Sequence, residues 1–445
     1  MRISFHNLGC KVNSYETESM ESLLSAEGFE IVPFEEPADV CVINTCSVTN
    51  IADRKSRQMI HKARKLNPEA IIVAAGCYAQ MFKDDLEAEG CANIIIGNNK
   101  KGDIVRLIKE YRDTTLTDVS DLSKGCEYED LWLTRTGDKT RAFIKIEDGC
   151  NNFCTYCIIP YARGRVRSRN IEDIVEETRR LSGSGYKEIV LTGINLSSYG
   201  TDAGKNEPMT TSPRVHLIDV LEAVSGVEGI ERIRISSLEP VIITEDFLNR
   251  LVKLPKVCPH FHLSLQSGCD SVLSRMNRHY TTGEYLEKCR LLRKYFDHPA
   301  ITTDVIVGFP GETAAEFETT RAFLKECAIY EAHVFKYSRR KGTKADRMPM
   351  QLTEKEKSAR SSRLISAVAE GKKAFMEYYI GREVQALMEE RITVEGKEYF
   401  TGLTPEYVRV SVFAGDEDLS NTLITGRVSD FLTPDCLLLS PKVLK

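Results

Sequence analysis

Residues 147–157 read EDGCNNFCTYC, with Cys150, Cys154 and Cys157 in a C-x3-C-x2-C pattern directly after the strand-like run RAFIKI (141–146). From this point a strand-then-helix rhythm runs downstream. Helix 171–182 leads to KEIVLTGIN, helix 216–224 to ERIRISSLE, helix 244–252 to HFHLSLQSG, helix 283–296 to ITTDVIVGFPGE, and helix 314–326 to EAHVFKYS. Counting RAFIKIED, six strand–helix repeats precede a charged helix at about 353–378. That rhythm predicts a partial (β/α) barrel, whose working groups belong on the loops after the strands.

Upstream, residues 1–125 alternate in the same way. RISFHNL, DVCVINT (39–45), AIIVAAG (70–76) and ANIIIG (92–97) are strand-like, and SYETESMESLLSAEG and IADRKSRQMIHKARKLN between them are helical. Non-alternating apolar strands separated by helices predict a doubly wound parallel α/β domain. The polar run 113–140 reads as a linker, placing the barrel at 136–372. After Gly381 short strands and turns (REVQALMEER, YVRVSVF, LITGRVSDFL, CLLLSP) predict a small antiparallel β-barrel at 375–442. The fold expected is α/β and multidomain.

Composition narrows the function. The chain of 445 residues is 42% hydrophobic and 28% charged with a formal net charge of −5, so binding to nucleic acid requires a local basic patch. The N-terminus MRISFHNLGCK lacks a basic and then apolar leader, and no apolar run approaches the ~20 residues of a membrane span. A cytoplasmic protein without membrane contact is expected, and in that compartment fourteen cysteines read as thiols or metal ligands rather than as a disulfide framework.

Three thiolates at the 150–157 spacing suit an iron–sulfur cubane with one iron left open. The alternative is a zinc knuckle completed by a remote fourth ligand. Cys10, Cys46 and Cys77 each end a predicted strand of the first sheet (RISFHNLGC, DVCVINTC, IIVAAGC). In a parallel sheet such loops gather at one edge, so these three can converge without being sequence neighbours; the other reading is coincidental burial of small residues. Capping residues, Asn13 or Ser14 after Cys10 and Ser47 or Thr49 after Cys46, predict helix N-termini there, which favour an anionic group. Cys41 lies inside its strand, and the remaining seven cysteines show no ligand pattern.

The C-x3-C-x2-C triplet resembles the motif of radical S-adenosylmethionine enzymes. Together with Cys10, Cys46, Cys77 and the final barrel, the chain resembles the methylthiotransferase family over essentially its whole length. INTCSVT (43–49), GCYAQ (76–80), DGCNNFCTYCIIPYARGRVRSR (148–169), LTGINLSSYG (191–200), SSLEP (236–240), HLSLQSG (262–268), DVIVGFPGET (304–313) and YSRRKGT (337–343) carry the likeness. Lys336 departs from it, standing where the family often has proline. The opening LGCKVNSYETE resembles the branch that modifies N6-threonylcarbamoyladenosine beside the tRNA anticodon. Sister branches act on isopentenyladenosine in tRNA or on a ribosomal-protein aspartate.

The resemblance implies two [4Fe-4S] clusters, one on Cys10/Cys46/Cys77 and one on Cys150/Cys154/Cys157, with S-adenosyl-L-methionine as cofactor. One cofactor molecule would methylate a sulfur on the first cluster; a second, on the other cluster, would give the radical that abstracts hydrogen, so that methylthio replaces hydrogen at C2. It also implies cofactor contacts at Tyr156, at Gly193 and Asn195 after the second barrel strand, and at Ile306 and Gly308 in the adenine-binding strand. Glu239, Ser264, Gln266 and Asp304 sit at or near later strand ends, where they suit ribose, carboxylate or substrate contacts. The partners implied are a tRNA anticodon stem-loop and an electron donor such as flavodoxin or ferredoxin. For the RNA, basic runs supply candidates: Arg163, Arg165, Arg167 and Arg169 in RGRVRSR, Arg339 and Arg340 in YSRRKGTK, and Arg54 and Arg57 in DRKSRQMIHKARK. The TRAM-like final barrel is a weaker RNA candidate by charge, with eight Lys/Arg against twelve Asp/Glu from Lys373 onward.

Overall fold

The computed structural model describes residues 1–133, 140–202, 215–415 and 417–442. The first sheet contains β1 (Arg2–Asn7), β2 (Glu30–Val32), β3 (Val40–Thr45), β4 (Ile71–Gly76), β5 (Ile94–Ile96) and β6 (Leu116–Asp118). Its order is β2-β1-β3-β4-β5-β6, with every neighbouring pair parallel. Helices bury both faces. Cys41, Ile43, Ile72 and Ala74 pack under Ile60 and Ala63, whereas Val40, Val42, Val73 and Ala75 pack against Met20, Leu24 and Ile104. Period-2 alternation is invisible in such strands because both sides are core. The expected doubly wound domain is therefore present, with edge strands β2 and β6 that are too short to stand out in the sequence.

Part of the stretch expected as a polar linker is structural; its residues 134–139 lie outside those described. β6 joins the first sheet, and Leu131 and Leu133 enter the barrel core. The Tyr128 hydroxyl donates to the Lys145 carbonyl at 2.8 Å, and the Leu133 N–H donates to Glu177 at 2.7 Å.

The barrel begins with β7 (Arg141–Lys145) and a short ribbon, β8 (Glu147–Asp148) with β9 (Arg167–Ser168). It continues through β10 (Glu188–Thr192), β11 (Arg232–Ile235), β12 (His260–His262), β13 (Ala300–Val307) and β14 (Glu331–Lys336). Two parallel three-stranded sheets, β7-β10-β11 and β12-β13-β14, are joined by the single bridges Ile233–Val257 and Leu238–Leu263. The six expected strands thus form one open parallel array, and a continuous apolar core lies between it and its helices.

At the C-terminus, β15 (Glu383–Val394), β16 (Lys397–Leu403), β17 (Arg409–Phe413), β18 (Leu423–Thr433) and β19 (Cys436–Pro441) close into a barrel in the order β15-β16-β17-β19-β18. The expectation of a wholly antiparallel barrel needs one correction: β17 and β19 run parallel. The turn after β16 plugs the strand-start end of the central barrel. Arg232 donates to the Leu403 carbonyl at 2.7 Å, Arg234 to the carbonyls of Thr404 and Pro405 at 2.6 and 2.8 Å, and His260 stacks on Tyr407 at 4.5 Å.

Candidate functional site

The register sets the first three thiols level. Asn7 pairs with Asn44, and Thr45 with Gly76, so β1, β3 and β4 end at one height. Cys10 is the N-cap of α1 (Lys11–Ala26), Cys46 precedes α2 (Asn50–Leu66), and Cys77 opens α3 (Cys77–Met81). Thr49 caps α2 as expected, accepting from the Ala52 N–H at 3.1 Å. Asn13 and Ser14 are not caps: they lie inside α1, where the Asn13 amide donates to the carbonyls of Leu8 and Thr45 at 2.7 and 3.0 Å. Gly9, at φ +114°, lets the loop before Cys10 run close to Cys46, since a Cβ there would stand 3.2 Å from Cys46 Sγ. The Asn98 amide donates to Cys77 Sγ at 3.4 Å.

The second triplet sits in one clamped loop. Gly149 at φ +82° admits no side chain, because a Cβ would fall 2.0 Å from the Arg165 carbonyl oxygen. The Thr155 hydroxyl donates to the Arg275 carbonyl at 2.9 Å, and the Asn277 amide donates to the carbonyls of Asn152 and Phe153 at 3.2 and 3.3 Å. Arg278 reaches Cys154 Sγ at 3.3 Å with one nitrogen and Glu239 at 2.7 Å with another.

Both thiol sets fit a cationic cluster. Burial pushes the thiols of Cys46, Cys150 and Cys157 up to about 12, 11 and 12, so holding them as thiolates requires compensating positive charge such as a metal cluster supplies. Beneath Cys10 and Cys77 lies a buried ionic network. Glu16 pairs with Lys101 at 2.8 Å, Arg163 at 2.9 Å and Lys145 at 3.1 Å, while Asp148 takes Arg163 at 3.1 Å, Lys145 at 3.3 Å and Arg167 at 3.5 Å. Burial alone would raise both carboxyl pKa values; these cations instead hold Glu16 well below the carboxylate range and lower Asp148 as well. Four cations face Glu16 and Asp148, and Arg163 Nε and Arg167 Nε donate no hydrogen bond among the described residues. An anionic thiolate-bound group beside them would offset that surplus, and the Cys77 thiolate is among the charges that raise the Arg163 pKa.

A cleft of about 240 Å³ lies between the loop after Cys46 and the loop that carries Cys157. Val48 and Thr49, just after Cys46, form one wall; Tyr156, Cys157, Gln266, Asp304 and Ile306 are among the residues of the other. Several expected contact residues are thus gathered at the cleft. Gly193 and Asn195 stand apart beside Glu147, whose carboxylate accepts from the Asn195 N–H at 2.7 Å and whose pKa burial raises to about 8. Glu239 is taken up by Arg278 and by Asn152 at 3.2 Å. The Ser264 carbonyl accepts from the Tyr280 hydroxyl at 2.6 Å, and Gly308 packs under Lys357, outside the cleft lining.

The arginine expectations need correction. Arg163, Arg167, Arg169 and Arg340 are buried: the first two belong to the ionic network, Arg169 pairs with Glu177, and Arg340 pairs with Asp53 at 2.5 Å. Arg163, Arg169 and Arg340 reach across to Glu16, Tyr15 and Asp53 of the first domain, and Arg167 stays within the barrel on Asp148. Arg54, Arg57, Arg165 and Arg339 remain exposed. The sequence reading missed Arg278, Glu147, and the pair His262 and His333 flanking Asp304 at 3.5 and 3.0 Å. Strand-end position was the available signal for the histidines; nothing local marked Arg278.

A parallel α/β barrel with a three-thiol loop after its first strand defines a radical S-adenosylmethionine protein, and the Radical SAM superfamily model matches residues 144–324. A second model, uncharacterized protein family UPF0004, matches residues 2–97. Over 429 residues the chain is 41% identical to the threonylcarbamoyladenosine tRNA methylthiotransferase MtaB of Bacillus subtilis, covering 96% of this chain and 93% of that one. The MtaB of Aquifex aeolicus is 39% identical over 89% of this chain and 95% of its own. A tRNA-2-methylthio-N(6)-dimethylallyladenosine synthase of Clostridium botulinum is 34% identical over 94% and 92%. The chain belongs to the radical S-adenosylmethionine methylthiotransferase family, in the type represented by MtaB. Among solved structures, the radical S-adenosylmethionine methyltransferase TsrM of Kitasatospora setae shares the fold at a TM-score of 0.57, with 16% identity over 78% of this chain and 77% of that one.

Proposed function

We propose that the protein inserts a methylthio group at C2 of N6-threonylcarbamoyladenosine next to the tRNA anticodon, with two [4Fe-4S] clusters held by Cys10/Cys46/Cys77 and Cys150/Cys154/Cys157. The observation that carries this reading is the cleft whose walls come from the loops after Cys46 and around Cys157. The names of the most similar relatives support the substrate. When bound, the clusters and S-adenosylmethionine would supply methyl transfer to sulfur and a hydrogen-abstracting radical.

The chain's own residues place those groups. Arg278 steadies Cys154 and is itself aimed by Glu239, while Tyr156 lies edge-on to Phe309 at 6.5 Å and walls the cleft. Residues 1–125, 136–372 and 375–442 serve as the domain for the first cluster, the radical barrel and a TRAM-like RNA-binding module. The exposed Arg54, Arg57, Arg165 and Arg339 serve tRNA phosphates. A flavodoxin or ferredoxin supplies electrons, and the cytoplasm is the working compartment; among the described residues no helix is long and apolar enough to cross a membrane.

Nucleoside mass spectrometry on tRNA from cells lacking the protein tests the reading. Methylthio-threonylcarbamoyladenosine should disappear and its unthiolated precursor accumulate. Persistence of that nucleoside while another modification vanishes overturns the substrate. Anaerobic reconstitution should give about eight irons per chain, and about four would refute the second cluster.

A further inference from the structure

The last three barrel strands bring two imidazoles and a carboxylate together. In the parallel register of β12, β13 and β14, His262 pairs with Thr302 and Asp304 with His333. Thr302 and Asp304 are two residues apart on β13, so their side chains share one face of the sheet. Each strand therefore offers one ligand-type side chain to the same place: His262, Asp304 and His333. The two histidine rings lie nearly parallel, 5.8 Å apart at 26°.

The ligand atoms converge on the carboxylate. His262 Nε2 lies 3.5 Å from Asp304 Oδ2, and His333 Nδ1 lies 3.0 Å from Asp304 Oδ1. All three ligand atoms fall within 4.8 Å of one another. Tetrahedral ligands at ~2.0–2.2 Å from zinc stand roughly 3.3–3.6 Å apart, so small ring rotations suffice to close the set on an ion. His262 is held through its other nitrogen, Nδ1, by the Thr302 hydroxyl at 3.1 Å, the kind of partner that fixes a metal-binding imidazole. Asp304 and Phe335, two residues beyond His333 on β14, line the cleft, and the His333 side chain is 57% exposed, which gives an ion a way in.

We infer that His262, Asp304 and His333 form a binding site for a divalent metal ion of the zinc type at the rim of the cleft, with none of its ligands drawn from the six cysteines. Two imidazoles and a carboxylate suit such an ion, and three protein ligands leave it a position for an oxygen or nitrogen of water or of the RNA. The site stands whichever nucleoside the enzyme modifies. A second gathering, His61 and Cys91 at 3.4 and 3.7 Å from Glu89, is the weaker candidate, because Arg57 at 3.9 Å already sets a positive charge on that carboxylate.

The test dialyses the anaerobically reconstituted full-length enzyme against zinc chloride and a competing chelator, and measures zinc and iron together. The wild type should retain about one zinc per chain. His262→Ala and His333→Ala should each weaken zinc binding by ~100-fold or more, and Thr302→Val by ~10- to 100-fold, all with the iron content of the wild type. Cys91→Ser should keep the zinc. A wild type that retains none overturns the site, and so does zinc held undiminished by both histidine variants. Zinc lost in Cys91→Ser alone also overturns it and assigns the ion to the His61 set.

Discussion

The two thiol triplets are placed by opposite routes. Cys150, Cys154 and Cys157 share one eight-residue loop, pinned by Gly149 behind and by Arg275, Asn277 and Arg278 in front. Cys10, Cys46 and Cys77 are brought level only by the pairing of three parallel strands. The local loop can be recognised as a motif, whereas the distributed set exists only once a whole sheet has formed. Damage to the sheet should therefore touch one triplet alone, and damage to the loop the other.

The largest expected effect separates them directly. Cys154→Ala should abolish 5′-deoxyadenosine formation, whereas Cys10→Ala should keep it and lose methylthio insertion; product chromatography reads both. Insertion surviving in Cys10→Ala would break the comparison. Next is Arg163→Met, which removes a buried cation shared by Glu16 and Asp148 and should cost about 3–5 kcal/mol in denaturant unfolding. A cost under about 1 kcal/mol, typical of an exposed pair, would mean that the network does not hold the domains together.

Gly149→Ala comes third. It forces a backbone shift against the Arg165 carbonyl and an unfavourable φ, for roughly 1–3 kcal/mol of strain. Iron should fall by about half as the local loop loses its cluster and the sheet keeps its own. Loss of all the iron would show the two triplets to be coupled.

The smallest effect is a pH dependence. Burial raises the Glu147 pKa from 4.5 to about 8, so its contribution to stability is full below the unfolded value and fades as pH rises towards 8. The melting temperature of Glu147→Gln relative to wild type should therefore climb between about pH 4.5 and 8 and then level off. A constant difference would refute the assignment.

Much of this was legible from residues alone. The mostly apolar, non-alternating runs VCVINT and IIVAAG announced a sheet covered on both faces, and the cysteine at the end of each pointed to a common edge. What escaped was long-range pairing. RGRVRSR reads as a basic surface because a sequence shows charge without showing that Glu16, 147 residues away, buries Arg163. YEDLWL reads as linker because its two hidden leucines are outnumbered by polar neighbours, although they belong to the barrel core. Arg278 carries no local signature, since its role comes from the loop it happens to face.

The Glu16 network also has a temporal side. Lys101 is the first of its cations to be synthesised; Lys145 and Arg163 follow it along the chain. At about 5–20 residues per second, the 147 residues from Glu16 to Arg163 take roughly 7–30 seconds to emerge. Throughout that interval the newborn first sheet carries a carboxylate still waiting for most of its partners. Its tight state must therefore await the arrival of the second domain on the ribosome.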